Sequence, residues 1–130
     1  MKSLNQIVID ALNIIVSSPE HDENKISQYF SPDYQQVVDG NSLNYDDFLM
    51  HMAVLKSQTK RMNVEIKSIV AENNTVFTHH YVSVEKCGSE QSEFEVFACF
   101  TLSLGRIIRC EELTRMISGE VGDRDFGSRR

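Results

Sequence analysis

Residues 93–116 read EFEVFACFTLSLGRIIRCEELTRM. Two aromatic and β-branched runs, which are strand-prone, flank Leu104-Gly105, a tight-turn signal. The same grammar extends upstream. Val64 to Glu72 alternates apolar and polar, and Asn73-Asn74 can take positive φ. Thr75 to Lys86 is a further strand, and residues 87–91 form a polar loop. From about Met62 to Met116 the chain therefore predicts one antiparallel β-meander.

The N-terminal half has helical spacing instead. Ser3, with Gln6 three residues on, forms a capping-box pattern, and Leu4, Ile7, Val8, Ala11, Leu12 and Ile15 recur on one face. Pro19 ends this first helix. Asp22 caps a short second helix expected to bury Ile26, Tyr29 and Phe30 and to stop at Pro32. Tyr34 to Val38 is a short extended piece, followed by an Asp39-Gly40 turn. Asn44 caps a third helix whose apolar face is Phe48, Leu49, Met52 and Leu55, with His51 at its edge. Helices followed by a run of strands predict an α+β domain over residues 1–117 and a polar tail over 118–130, mobile at its end.

Composition sets limits on function. At 130 residues, 41% hydrophobic and 25% charged, the chain can bury one core. A net charge of −6 argues against a nucleic-acid partner. No apolar run reaches membrane-span length and no leader pattern is evident, so no membrane partner is expected. Cys87, Cys99 and Cys110 fit neither a zinc pattern nor an even disulfide framework, so reduced thiols in a cytoplasm are the expectation. Neither a phosphate loop nor a cofactor fingerprint is present, so no cofactor and no metal site are expected.

The chemistry-bearing residues are set into the strands: His79-His80 and Glu111-Glu112. Alternation sends the members of each pair to opposite faces. With a two-residue loop at Leu104-Gly105, Ser103 faces Arg106, Cys99 faces Cys110 and Phe97 faces Glu112. That register places Phe97, Cys99, Thr101, Ile108, Cys110 and Glu112 on one face, and Ala98, Phe100, Leu102, Ile107, Arg109 and Glu111 on the other. A bulge would change these faces, and periodicity leaves open whether His80 and Glu112 share a side. A carboxylate in an apolar pocket has a raised pKa and can move protons near neutrality. Glu112 is thus the candidate acid/base, with His80 as its partner. Tyr34, Gln36 and His51 are candidate orienting groups, and Phe97 and Cys99 are candidate ligand contacts.

Several stretches together resemble the SnoaL-like branch of the nuclear transport factor 2-like superfamily. They are Tyr29-Phe30-Ser31-Pro32-Asp33-Tyr34, the capped helix start Tyr45-Asp46-Asp47-Phe48, the hairpin Leu104-Gly105-Arg106-Ile107-Ile108, and Glu111-Glu112-Leu113. The resemblance covers roughly residues 3 to 117. It implies a cystatin-like cone, in which a curved antiparallel sheet wraps three N-terminal helices around a small-molecule pocket. It also implies a homodimer through the convex face, where Arg109, Glu111 and Phe100 would lie if Glu112 looks inward. The superfamily includes polyketide cyclases, ketosteroid isomerases, epoxide hydrolases, dehydratases and non-catalytic binders, so fold alone does not fix activity. Glu112 matches an active-site Asp of the epoxide hydrolases, and His80 their intervening Arg. The other positions of that set hold Val82, Gln36 and Val38, and Val37 replaces a His common in this branch. The resemblance implies an isomerase-, cyclase- or dehydratase-like proton transfer on an apolar metabolite, or alternatively a non-catalytic binding or interaction domain.

Overall fold

The computed structural model describes residues 2–88 and 90–119; of the tail expected over 118–130, Ser118 ends a strand and residues 120–130 lie outside the described residues. Helix α1 spans Leu4–Leu12 and is capped as its sequence predicts, with the Ser3 hydroxyl accepting from the Gln6 amide. One π-helical turn, Asn13–Ser17, continues it. Helix α2 spans Glu23–Tyr29, where Asp22 accepts from the Asn24 and Lys25 amides. Helix α3 spans Tyr45–Gln58, with Asn44 accepting from the Asp47 amide. These caps satisfy amides that a helix start otherwise leaves unpaired.

Six strands form one sheet: β1 Phe30–Val38, β2 Asn41–Asn44, β3 Thr59–Glu72, β4 Thr75–Lys86, β5 Gln91–Ser103 and β6 Arg106–Ser118. Their order is β2-β1-β6-β5-β4-β3. The meander from β3 to β6 is antiparallel throughout, as expected. The sheet as a whole is mixed, because β1 lies parallel to β6. This corrects the wholly antiparallel expectation. A parallel neighbour needs a long crossover, and here residues 39–105 provide it.

The second helix also ends earlier than expected. Tyr29 is its last residue, and Phe30 already has extended geometry, φ −118° and ψ 132°. Pro32 falls in the gap between the Phe30–Ile107 and Gln35–Arg109 pairings, where it interrupts no ladder bond. Phe30 is still buried, now from the strand.

The helices cover one sheet face and enclose the core. Phe30, Tyr34 and Phe48 meet there with ring centroids 4.8–5.0 Å apart. Such aromatic pairs contribute about 0.5–1.5 kcal/mol each beyond area burial. Val8, Val76, Phe100, Ile107 and Cys110 pack into the same cluster. Register shifts bend the long strands: in β3 near Lys60 and Lys67, and in β6 near Ile108 and Ile117. Bulges of this kind increase twist and curl a sheet around what it covers.

Candidate functional site

The bulge near Ile108 decides which side chains look inward. Ser103 faces Arg106 and Leu102 faces Ile107, as the two-residue loop predicts. Thr101 then faces Arg109, so Ile108 is the extra residue, and every later pair is displaced by one. Phe100 faces Cys110, Cys99 faces Glu111, Ala98 faces Glu112 and Phe97 faces Leu113. The sequence-derived faces are corrected accordingly. Glu112 shares the inner face with Ala98, Phe100 and Cys110, while Phe97 and Cys99 lie on the outer face. Phe97 is 54% exposed there and lines a groove together with Cys99, outside the inner cavity. Phe100, expected at a dimer surface, is in the core.

A cavity of about 100 Å³ lies between the sheet and the helices. Leu12, Ile15 and Val16 line it from the first helical segment, and Phe48, His51, Met52 and Leu55 from α3. Gln36, Met62, His80, Val82, Val84, Phe94, Val96, Glu112 and Thr114 line it from the sheet. His80 and Glu112 therefore do face the same space. They are not bonded to each other. β5 runs between their strands and the register sets them two residues out of line, so their backbones stand about 12 Å apart on the sheet.

Each holds a different neighbour. His80 is buried, and its Nδ1 lies 2.9 Å from Thr78 Oγ1. Burial, with a lesser contribution from His79, lowers its pKa to about 4, so the ring is neutral at neutral pH. Glu112 Oε1 accepts from the Cys110 thiol at 3.4 Å. Burial of the carboxyl raises its pKa to about 7; Asp39 adds to the rise and the Cys110 bond opposes it. Burial likewise pushes the Cys110 thiol well up, so it remains protonated and is unsuited to nucleophilic attack.

Gln36 reaches the cavity from β1, beside Cys110 in the parallel pairing. Tyr34 does not line the cavity. It is buried behind Gln36 and donates its hydroxyl to Gln36 Oε1 at 2.7 Å. It holds the Gln36 amide and, expected among the orienting groups, does not itself reach the cavity. His51, expected at the edge of its helix face, is buried and lines the cavity.

Sequence reading missed Thr114 and Asp39. Thr114 lies two residues beyond Glu112, so strand alternation places both on one face. Its Oγ1 is buried and has no hydrogen-bond partner among the described residues. Asp39 has φ 50°, accepts the Thr114 amide on Oδ1 at 2.8 Å and donates its own amide to the Glu112 carbonyl at 3.0 Å. It pins the end of β1 to the site segment of β6. Among the described residues, no cluster of three His, Cys, Asp or Glu side chains could hold a metal. The three cysteines are unpaired thiols. No helix among the described residues is long and apolar enough to cross a membrane.

No protein-family model matches the chain. An uncharacterized protein of Schizosaccharomyces pombe is 33% identical over 107 residues, covering 82% of each chain. Among solved structures, an NTF2-like protein of unknown function from Exiguobacterium sp. 255-15 superposes with a TM-score of 0.73. That match has 13% identity and covers 84% of this chain and 98% of the other. A candidate SnoaL-like polyketide cyclase from Jannaschia sp. CCS1 superposes with a TM-score of 0.67 at 12% identity, covering 88% of this chain and 89% of the other.

Proposed function

The chain belongs to the family of that S. pombe protein and has the SnoaL-like fold of the nuclear transport factor 2-like superfamily, and on that premise we propose a small-molecule pocket protein that uses Glu112 to move a proton. The observation that carries the proposal is the setting of Glu112. Its carboxyl is turned into an apolar cavity, and no Lys or Arg is among the lining residues. With its pKa raised to about 7, it exists in both protonation states near neutrality, the condition for general acid–base work. Isomerisation, aldol-type cyclisation and dehydration each need a proton removed beside a carbonyl. In the proposed step the Glu112 carboxylate takes that proton, leaving the electron pair in an enolate, and returns it at the same or another position. The Gln36 amide, fixed through Tyr34, and His51 orient the bound molecule.

His80 acts as a neutral hydrogen-bonding wall group in this reading, not as a direct partner of Glu112. Its bond to Thr78 and its distance from Glu112 also favour a second reading, a non-catalytic binder in which both residues are structural. Exchange of the α-protons of cyclopentanone in D₂O, followed by NMR, separates the two. The catalytic reading predicts exchange above the rate given by free carboxylate, rising through pH 7 and lost in Glu112→Gln. Equal exchange by the wild type and Glu112→Gln removes Glu112 from the mechanism.

We propose further that two copies pair through the outer sheet face. Val70, Phe77, Phe97 and Leu113 stand exposed there on neighbouring strands. A cluster of this kind is typical of interaction surfaces.

A further inference from the structure

We infer that the cavity selects a compact, uncharged, single-ring or branched ligand carrying one polar atom, which is seated at Thr114 beside Glu112. The inference rests on the pocket reading above but not on its chemistry.

Size is the first argument. Pockets for drug-sized ligands run to roughly 300–1,000 Å³, and an apolar cavity of about 150 Å³ holds one benzene. A cavity of about 100 Å³ is smaller still, so it takes a ligand no larger than about one small ring. Fused-ring molecules exceed it.

Charge is the second. A ligand carboxylate or phosphate would enter a space lined by one carboxyl group and by neither Lys nor Arg. An uncompensated buried anion is costly enough that such ligands are rejected. A ligand ammonium would need Glu112 ionised, whereas burial favours the neutral acid.

An unpaired hydroxyl locates the polar atom. Thr114 Oγ1 is buried, lines the same cavity and lacks a partner among the described residues. A buried hydroxyl left unsatisfied is destabilising, and a ligand oxygen placed against it removes that penalty. Thr114 and Glu112 stand about 7 Å apart along β6 on one face. One ligand oxygen at Thr114 therefore leaves the adjoining ring carbons toward the carboxyl group.

The test is a titration of the ¹⁵N-labelled protein at pH 6 with four probes: cyclopentanone, cyclopentanecarboxylate, cyclopentylammonium and 2-decalone. Only cyclopentanone is expected to give saturable shifts at the Val96, Glu112 and Thr114 amides. Thr114→Val should weaken that binding between about twofold and tenfold, the worth of one hydrogen bond. The same variant should fold with unchanged or higher thermal stability, because it removes an unpaired buried group. Equal or tighter binding of 2-decalone or of either ion at these amides overturns the inference and leaves the pocket reading standing. Cyclopentanone binding unaffected by Thr114→Val overturns the assignment of the polar atom. Silence of all four probes at these amides overturns both the inference and the pocket reading.

Discussion

Glu112 and His80 line one cavity from β6 and β4, with the full width of β5 between them. A buried imidazole and a part-buried carboxyl that share a space without touching shift in opposite directions for one reason. Burial disfavours charge, so the carboxyl rises to about 7 and the imidazole falls to about 4.

Their effects on stability oppose each other. Between pH 4.5 and 7 the folded state holds the Glu112 proton that the unfolded chain releases, so stability falls as pH rises through that window. Between pH 4 and 6.5 the unfolded chain protonates His80 while the folded state does not, so stability rises with pH. Each effect amounts to at most roughly 3 kcal/mol. Urea unfolding from pH 4.5 to 6.5 should show Glu112→Gln gaining stability with rising pH relative to the wild type, and His80→Gln losing it. The difference from the wild type cancels groups common to all three proteins, including Asp39, His79 and Cys110. Parallel profiles for the three would refute the opposed shifts.

Tyr34→Phe isolates the support of Gln36. The substitution keeps the ring packed against Phe30 and Phe48 and removes only the hydroxyl that donates to Gln36 Oε1. A buried amide oxygen left unpaired costs about 1–3 kcal/mol. Chemical denaturation should register that loss. A change below about 0.5 kcal/mol would mean that Gln36 finds another donor and is not held by Tyr34.

Phe97→Asp tests the outer face. Phe97 stacks on His79 with ring centroids 4.4 Å apart and adjoins the exposed Leu113 across the β5–β6 ladder. Light scattering should find the wild type dimeric and the variant monomeric, with matching far-UV circular dichroism. A wild type that runs as a clean monomer at micromolar concentration eliminates the proposed dimer.

The sequence made much of the frame legible because local chemistry dictates it. Ser3, Asp22 and Asn44 cap their helices through their own side chains, and the Leu104-Gly105 turn has positive φ at both residues. What escaped depends on distant partners. The parallel seating of β1 against β6 arises from packing that spans most of the chain. The bulge near Ile108 leaves no mark in periodicity, since Arg106 to Met116 alternates tolerably in either phase. That one residue moved Phe97 and Cys99 off the site face and Phe100 into the core. Glu112 and His80 were legible as candidates from their rarity in apolar strands, and Thr114 was one alternation step from being found. Tyr34 was legible as a residue of interest but not as a buried support, because only the tertiary structure shows that Gln36 stands before it.

The proposed chemistry depends most on the state of the Glu112 carboxyl. Its side-chain ¹³C resonance, assigned by its absence in Glu112→Gln, can be followed from pH 3 to pH 9. A titration midpoint near 7 is the expected result; a midpoint at or below the ordinary glutamate value of about 4.3 would contradict an acid/base desolvated in an apolar cavity and with it the proposed chemistry.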